Sequence, residues 1–516
     1  MRLFLRTTSL TILCALALFS HAQPPIEWQV CLGSEQWDYA HSIEQTYDGG
    51  YIVAGHTLAS NVDSADAWVL KLDAFGAIEW ERVMGGTYWD QATSTQQTAD
   101  SGYIVAGWTE SNDGDVSGKH GGLYSADLWL VKLDSLGTIE WQKCLGGSGD
   151  DFANDVDQTA DGGYVLTGLT YSNDGDVTDY NGGAPDVWVV KVDAWATVQW
   201  GKSFGGSSYE YSLSVQQTND TGFVVAGYTN STDGEVNGNH GDIDAWLLKL
   251  DANGLLQWQK CLGGVDDEYG MDISQTMDGG YLFTGNTDSN DGDASGNHGG
   301  RDGWVVKLDS IGALEWQRCL GGTSGDYATS SWQTVDGGYI VAGTTYSNNG
   351  DVSGFHGGAD QRVVKLDSSG TVQWQKCMGG LAAEQAHGIQ QTADGGYVVV
   401  GETASTDGDV SGNHGIWDGW VVKLGPAEVG ITELAVPGFT IAPNPTSSTV
   451  LIEVEPGAQA SSVSIMESTG RVMLTQSLSR GQRPITVDLN ALATGVYFIQ
   501  LNFAEGSSAV QRVAKH

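Results

Sequence analysis

Apolar and polar residues alternate over short stretches along most of the chain, and these stretches recur in a fixed order. Between residues 152 and 204, one alternating stretch covers 152–159 and a second covers 164–170, with the turn Ala-Asp-Gly-Gly between them. After a long polar loop, the apolar stretch 187–192 is followed by a turn and by 198–204. Alternation with a period of two, bounded by Gly and Asp, predicts four short β-strands in this segment.

The same unit occurs seven times within residues 27–431. Each copy reads [EQ]-W-x-x-C-[LM]-G-G, then Q-T-x-D-G-G-Y-[IV]-V-A-G, then the loop S-N-D-G-D-V-S-G-x-H-G-G, then D-x-W-V-V-K-L-D-x-x-G, with substitutions. The tryptophans that open the copies are 52 to 61 residues apart: Trp28, Trp80, Trp141, Trp200, Trp258, Trp316 and Trp374. Four short strands at a nearly constant period predict the blades of a β-propeller, and the lack of a 3.6-residue apolar period excludes a helical solenoid.

The last copy lacks its fourth strand, because no Trp-containing strand follows Leu424. Such a strand, Ile26–Leu32, instead stands at the start of the repeats with no unit before it. We therefore predict that Ile26–Leu32 pairs with the strand around Trp420 and completes the seventh blade. That pairing closes the propeller into a ring.

The connections between strands define two faces of the ring. If the first strand of each blade lines the channel and the fourth is outermost, the D-G-G and L-D-x-x-G turns share one face, which we call the turn face. The long S-N-D-G-D loops and the G-G-x-x-D links share the other, which we call the loop face. Carboxylates and glycines collect on the loop face, so a ligand site is expected there.

The N-terminus has the pattern of an export signal. Arg2 and Arg6 precede an apolar run over residues 10–19, and Ser20-His21-Ala22 has the small-x-small form of a signal peptidase site. We predict that residues 1–22 are a signal peptide for Sec export to the periplasm. No stretch reaches the ~18 uninterrupted apolar residues of a spanning helix, so we expect no transmembrane segment.

The amino-acid composition restricts the classes of ligand that the protein can bind. The chain has 64 Asp and Glu against 23 Lys and Arg, a net charge of -41. Such a charge repels nucleic acid and anionic lipid and favours cations or neutral ligands. Five cysteines share one repeat position, where strands of neighbouring blades lie too far apart for a disulfide, so we expect free, buried thiols at these positions: Cys31, Cys144, Cys261, Cys319 and Cys377.

The long loops carry closely spaced carboxylates beside Asn and Gly. Such oxygen ligands suit calcium, although the spacing lacks the terminal bidentate Glu of an EF-hand; the alternative is an Asx-turn in which they cap backbone amides. The candidate calcium ligands are Asp113, Asp115, Asp174, Asp176, Asp233, Glu235, Asp291, Asp293, Asp351, Asp407 and Asp409. Five of these loops also carry a histidine, which we expect to be packed or hydrogen-bonded within its loop.

Two tryptophan series recur in register inside strands, so we predict that they pack between blades. Trp37, Trp89 and Trp417 fall outside both series and lie in the links or loops of the loop face. Aromatic side chains in such positions are typical of binding surfaces. These three are the candidate ligand-binding residues.

From residue 439 the repeat gives way to short alternating strands, which predict a small Ig-like antiparallel β-sandwich. The order P-N-P at 443–445, then V-S-I at 463–465 ahead of G-R at 470–471, then L-x-x-G-x-Y at 492–497 closely resembles the type A sorting domain of the Bacteroidetes type IX secretion system. The resemblance implies that the type IX secretion machinery carries the protein across the outer membrane, leaving it secreted or attached to the cell surface. The repeats G-G-Y-I-V-A-G and S-N-D-G-D-V-S-G resemble those of secreted Bacteroidetes repeat proteins.

Together these patterns predict an all-β chain with a signal peptide at 1–22, a seven-bladed β-propeller at 23–431, a linker at 432–438 and a sorting domain at 439–516. No G-x-S-x-G elbow, H-E-x-x-H motif or distinct pair of acids is present, so we predict no catalytic residues. The favoured function is a non-catalytic, monomeric binding or adhesion propeller for a glycan or protein ligand. The alternative is a polysaccharide-acting hydrolase or lyase with its site in the channel.

Overall fold

The computed structural model describes residues 23–58, 64–180, 182, 184–427, 439–444, 446–454, 460–467, 471–479, 482–503 and 508–515. These residues form strands, turns and loops, and they include no helix long and apolar enough to cross a membrane. The chain divides into two compact units, His21–Glu428 and Val429–His516. The predicted signal peptide and the predicted linker at 432–438 lie outside the described residues.

Within the described part of the first unit, the strands form seven four-stranded antiparallel sheets, here called blades 1 to 7. Their first strands are Asp38–Gln45, Asp90–Gln97, Asp151–Gln158, Glu210–Gln217, Glu268–Gln275, Asp326–Gln333 and Glu384–Gln391. The second strands are Tyr51–Leu58, Tyr103–Thr109, Tyr164–Thr170, Phe223–Thr229, Tyr281–Thr287, Tyr339–Thr345 and Tyr397–Thr403. The third strands are Ala65–Leu72, Asp127–Leu133, Asp186–Val192, Asp244–Leu250, Asp302–Leu308, Asp360–Leu366 and Asp418–Leu424. The fourth strands of blades 1 to 6 are Ile78–Met84, Ile139–Leu145, Val198–Phe204, Leu256–Leu262, Leu314–Leu320 and Val372–Met378.

The fourth strand of blade 7 is the N-terminal strand Ile26–Leu32, which pairs antiparallel with the third strand of that blade. In this register Cys31 lies opposite Trp420, and Trp28 lies opposite Lys423. The second strand of each blade packs on the first strand of the next blade, and the second strand of blade 7 packs on the first strand of blade 1. The predicted closure of a β-propeller is therefore confirmed.

The D-G-G motif builds the hairpin on the turn face. In blade 1, Asp48 Oδ1 accepts hydrogen bonds from Thr46 Oγ1 at 2.5 Å and from Gly50 N at 2.9 Å. Its other oxygen pairs with Lys71 Nζ at 3.1 Å, and the same ammonium donates to the carbonyl oxygen of Leu72 at 3.0 Å. One carboxylate thus caps the turn and neutralises a buried lysine, which explains why the motif recurs.

Tryptophans hold neighbouring blades together. The D-x-W tryptophans are buried, as predicted, with Trp304 and Trp420 fully inaccessible. In the other series, Trp28 of blade 7 packs edge-on against Tyr51 of blade 1 with ring centroids 5.6 Å apart. A Cβ on Gly76 would lie 2.8 Å from the Trp28 ring, so glycine at this position allows the close contact as well as its φ of 83°.

The five propeller cysteines are free and buried, which confirms the prediction for this position of the repeat. Burial raises the pKa of each thiol to about 12. The thiols are therefore protonated at neutral pH and act as small apolar side chains.

The second unit forms two sheets that enclose one apolar core. One sheet contains Phe439–Ala442, Thr449–Val454 and Ile485–Asp488, and the other contains Ala460–Glu467, Val472–Ser477, Gly495–Phe503 and Ser508–Lys515. Both sheets contribute to a single buried cluster that includes Ile452, Ile465, Val487 and Ile499. Two antiparallel sheets around a shared core form the predicted β-sandwich.

Candidate functional site

Each first strand carries a β-bulge near its loop-face end. In blade 1 the pairing shifts between Ala40 and Ser42, which leaves His41 as the extra residue. A Cβ on the facing Gly55 would lie 1.8 Å from the carbonyl oxygen of Tyr39, so only glycine allows the two strands to approach this closely. The seven bulged residues all line the channel: His41, Thr93, Asn154, Leu213, Met271, Thr329 and His387.

The channel contains a cavity of about 320 Å³ lined by the middle residues of the seven first strands. Its wall includes four carboxylic acids: Glu44, Asp155, Asp157 and Asp272. Asp155 Oδ2 accepts a hydrogen bond from Val215 N at 2.9 Å, and Asp272 Oδ2 accepts one from Ser331 N at 2.7 Å. These acids therefore connect consecutive blades while they line the cavity.

The channel acids and the turn-face acids have opposite pKa shifts. Burial raises the pKa of Glu44 and Asp155 to about 7, and it also raises the pKa of Asp157 and Asp272. For Asp161, in a D-G-G turn, desolvation alone would raise the pKa, but hydrogen bonds and the adjacent buried lysine lower it to about 2. Different groups therefore control stability at neutral and at low pH.

We expect the propeller to become more stable on mild acidification. Between pH 8 and about pH 5, the folded chain takes up protons on its raised carboxyl groups before the unfolded chain does, so the melting temperature rises. Below about pH 4, the lowered D-G-G carboxylates lose their stabilising contribution and the melting temperature falls. Calorimetry across this pH range measures both the expected rise and the expected fall of the melting temperature.

Glu44→Gln provides the control for this pH profile. Glu44 accepts a hydrogen bond from Gln97 N, and a glutamine carbonyl can accept the same bond but does not titrate. The variant should show a smaller rise between pH 8 and 5 than the wild type. A melting temperature that declines steadily from pH 8 downward would contradict the assignment.

Aromatic rings run from blade to blade around the loop-face end of the channel in blades 1 to 3. Tyr39 stacks on His56 with centroids 4.6 Å apart, and His56 lies 5.9 Å from Trp89 of blade 2. The rings of Trp89 and Trp108 are nearly parallel, with an interplanar angle of 9° and centroids 6.4 Å apart. Trp108 meets Phe152 of blade 3 edge-on, with ring centroids 5.3 Å apart. These contacts form an unbroken arc across three blades.

A second arc, mainly of tyrosines, covers blades 4 to 6. Tyr211 stacks on Tyr228 at 5.1 Å, and Tyr228 meets Tyr269 of blade 5 edge-on at 5.1 Å. The Arg301 guanidinium lies 4.4 Å from the Tyr269 ring centroid and 5.9 Å from that of Tyr327 in blade 6. We call the two arcs together the aromatic rim: Trp37, Tyr39, His56, Trp89, Trp108, Phe152, Tyr209, Tyr211, Tyr228, Tyr269 and Tyr327.

Blades 7 and 1 place titratable groups where the rim meets the channel. His41 Nε2 lies 3.0 Å from His56 Nδ1, and His387 Nε2 lies 2.5 Å from Glu402 Oε2. The rings of His41 and His387 are 5.3 Å apart. Burial lowers the pKa of His41 and of His56, whereas Glu402 raises the pKa of His387 against the effect of desolvation. We call these four residues the seam cluster.

The long loops are tied to the links between blades by the first carboxylate of each loop pair. Asp113 Oδ1 accepts a hydrogen bond from Thr87 N at 2.8 Å, and Asp174 Oδ1 accepts one from Ser148 N at 2.7 Å. Asp233, Asp291 and Asp407 make the equivalent contact. Within the described ranges, no group of three or more His, Cys, Asp or Glu residues is arranged to hold a metal ion. This geometry fits turn capping, and calcium binding at these loops stays a prediction.

The five loop histidines are hydrogen-bonded within their own blades, as predicted. Each ring Nδ1 lies 2.7 Å from a buried aspartate at the start of the third strand, as in the pair of His120 and Asp127. The backbone amide of the same histidine donates to the same carboxylate oxygen. The histidine therefore closes the loop through its backbone amide and its Nδ1.

Of the three tryptophans singled out in the sequence, Trp37 and Trp89 lie on the aromatic rim. Trp417 lies beside it, because its carbonyl oxygen accepts a hydrogen bond from Asp38 N at 2.9 Å. The rest of the rim and the seam cluster were not predicted. Apart from Tyr209, which lies in a link, they occupy three positions of the repeat at which the copies differ from one another. These are the first-strand position after the initial acid, the bulged position of the first strand and the position after the second-strand glycine.

Solved structures with similar folds are remote. The extracellular domain of a putative hybrid two-component system from B. thetaiotaomicron aligns with a TM-score of 0.40 and 10% identity, covering 96% of this chain and 60% of that one. The structure of YCF48 bound to D1 peptide aligns with a TM-score of 0.41 and 9% identity, covering 78% of this chain and 97% of that one. Sqt1 from Chaetomium thermophilum aligns with a TM-score of 0.38 and 12% identity, covering 82% of this chain and 97% of that one. Because these TM-scores lie below 0.5, we base the fold on the strand pairing of this chain.

Sequence comparison assigns the second unit. No curated protein sequence matches the chain. Residues 440–515 match the family described as the secretion system C-terminal sorting domain. The chain is therefore a secreted or cell-surface β-propeller protein that carries a C-terminal sorting domain of the type IX secretion system.

Proposed function

We propose that the protein is a non-catalytic binding propeller that holds a glycan on the aromatic rim. The observation that supports this proposal is the continuity of the rim, in which ring contacts pass between neighbouring blades from Tyr39 to Phe152 and again from Tyr211 to Tyr269. Sugar rings present apolar faces, and partly exposed aromatic rings beside polar groups are the usual way to bind them.

Charge defines the kind of glycan. The channel below the rim is lined by four acids, and the chain as a whole carries a net charge of -41. Arg301, the cation on the rim, is already bound through two hydrogen bonds to Asp288, at 2.6 and 3.1 Å. An anionic polysaccharide would meet repulsion that no free cation among the described residues of the rim offsets, so a neutral glycan is the expected ligand.

The seam cluster favours a second candidate function. It combines paired imidazoles with a histidine and glutamate pair at the channel, and such groups can act as general acid and base. No other blade has His or Glu at the bulged position of its first strand or at the position after its second-strand glycine. A polysaccharide-acting hydrolase or lyase is therefore the alternative to pure binding.

A glycan array with the secreted protein, followed by an assay for new reducing ends, separates the two candidates. We expect retention of neutral oligosaccharides without chain cleavage. Release of reducing ends that His387→Ala abolishes would show that the protein is an enzyme. The absence of binding to any glycan, neutral or charged, would refute the rim as a glycan site.

A parallel array with a calcium chelator tests the loop carboxylates. If the loops need calcium to support the rim, the chelator should weaken binding, and calorimetry with calcium should show heat of association. Asp174→Asn serves as the loop variant, because the amide oxygen can still accept the bond from Ser148 N. Equal binding with and without chelator would assign these carboxylates to turn capping alone.

A further inference from the structure

The most exposed apolar side chains of the propeller lie on the face opposite the aromatic rim. Of the described residues, eight large apolar side chains are more than 70% exposed, and seven of these belong to hairpins of the turn face. The seven are Tyr47 (75%), Phe75 (82%), Leu136 (76%), Trp195 (79%), Met277 (71%), Ile311 (77%) and Val335 (82%). The eighth, Leu381 (72%), lies in a link of the loop face.

The backbone geometry of the hairpins directs these side chains toward solvent. Phe75, Leu136, Trp195 and Ile311 occupy the same position of the L-D-x-x-G turn, where the turn aspartate accepts the backbone amide of each of these residues at 2.8 to 3.0 Å. The position is held by the capped backbone, so a polar residue would satisfy the fold equally well, as Asn253 does in blade 4. Local folding therefore does not account for the apolar residues.

The apolar hairpins form two groups on the ring. Blades 1 to 3 carry Tyr47, Phe75, Leu136 and Trp195, and blades 5 and 6 carry Met277, Ile311 and Val335. Between these groups, blade 4 has Asn219 and Asn253 at the corresponding positions, and blade 7 has Ala393. Two apolar groups separated by smaller or polar residues can each meet the other group of a second copy, which is the self-complementary arrangement of a two-fold dimer.

We propose that the turn face is the interface of a homodimer in which two propellers pack back to back. If each of the seven side chains buries about 100 Å², the contact covers roughly 700 Å² per copy, close to the ~800 Å² of a standard specific interface. The dimer points its two rims in opposite directions. It can therefore bridge two glycan surfaces and gain avidity from two weak sites.

A lipid surface suits this face less well than a second copy. The lysines of the third strands are buried, with side chains 2 to 4% exposed and paired to aspartates: Lys71, Lys132, Lys191, Lys249, Lys307, Lys365 and Lys423. These seven ammonium groups are thus not free for anionic headgroups, on which peripheral membrane binding depends. The D-G-G aspartates remain 52 to 61% exposed and would enter the headgroup region.

Sedimentation velocity of the full secreted chain at micromolar concentration tests the dimer. We expect a dimer that tightens as salt rises, because salt screens the repulsion between the two acidic faces. The double variant Leu136→Ser and Trp195→Ser should raise the dimer dissociation constant about a hundredfold. Phe75→Ser, made separately, should weaken the dimer in the same direction.

Leu381→Ser is the matched control, because it removes an equally exposed leucine from the loop face. It should leave the dimer intact. At concentrations low enough for the wild type to be monomeric, all variants should share its melting temperature, since the altered side chains are exposed. A wild-type chain that stays monomeric in high salt would overturn the proposal. So would a dimer that survives the double variant, or cosedimentation with zwitterionic vesicles that the double variant abolishes.

Discussion

Removal of the N-terminal strand, residues 23–32, is expected to abolish cooperative folding of the propeller near physiological temperature. The strand covers the third strand of blade 7, where Trp420 is fully buried and its indole nitrogen donates to Gln29 Oε1 at 2.7 Å. Cys31 and Leu32 are themselves only 6% and 1% exposed. Loss of this apolar burial and of a full ladder of backbone hydrogen bonds costs at least about 5 kcal/mol, which is comparable to the total stability of many domains.

Calorimetry of the deletion variant, with limited proteolysis, measures this effect. Glu27→Gln is the control, because it keeps the strand and breaks only the ion pair with Lys423, in which Glu27 is 42% exposed. Such a pair contributes at most about 1 kcal/mol, so the control should unfold close to the wild-type temperature. A peptide of residues 23–33 should partly restore the deletion variant. If the deletion variant unfolds at the wild-type temperature, ring closure by this strand does not stabilise the propeller.

The largest expected effect on binding comes from Trp89 and Trp108, which form the stacked centre of the first arc. Removing both rings with the double variant Trp89→Ala and Trp108→Ala should weaken glycan binding by 100-fold or more. Each tryptophan at the centre of an interface contributes about 2 kcal/mol or more, and two such losses multiply. Isothermal titration with a short oligosaccharide selected on the array provides the dissociation constants.

Trp195→Ala supplies the control for this measurement, because Trp195 is 79% exposed on the turn face and does not contact the rim. Its affinity for the short ligand should equal that of the wild type. Trp89→Phe keeps an aromatic face and should lose less than about tenfold, which separates loss of stacking from loss of fold. Equal losses in Trp89→Ala and Trp195→Ala would remove the rim from the binding site.

Most of the propeller could be predicted from the sequence because its turns repeat. The D-G-G and L-D-x-x-G motifs combine a capping carboxylate with a glycine at positive φ, and each fixes a hairpin through contacts between residues close in sequence. The missing strand after Leu424 predicted closure, since an unpaired edge is unfavourable in a ring. Local chemistry thus determined the strand order and both faces.

The rim could not be predicted in the same way, because it exists only through contacts between blades. His56 and Trp89 are 33 residues apart in the chain, and Trp108 and Phe152 are 44 apart. Each of these four residues occupies a repeat position at which the seven copies differ. In a single sequence, such differences look like random variation. Trp37 and Trp89 could be predicted because they lie in links, whereas Trp108 lies inside a strand, where a tryptophan is expected to pack in the core. Comparing the variable positions of all seven copies would have found the rim.

The loops illustrate a different case, in which a repeated polar pattern has a structural role in every blade while the predicted calcium binding stays a prediction. The pair of acids in S-N-D-G-D has the composition of a cation site, but Asp113 and its equivalents accept link amides. The loop histidine binds the aspartate that starts the third strand. Repeated polar residues here secure every blade alike, whereas the residues that distinguish the copies form the rim.

A crystal structure of the protein with the oligosaccharide selected on the array tests the central claim most directly. The account predicts an intact sugar chain at the loop-face end of the channel, with one ring stacked on Trp89 or Trp108. A sugar bound on the outer strands or the turn face would contradict it. A cleaved sugar beside His387 would show that the site is catalytic.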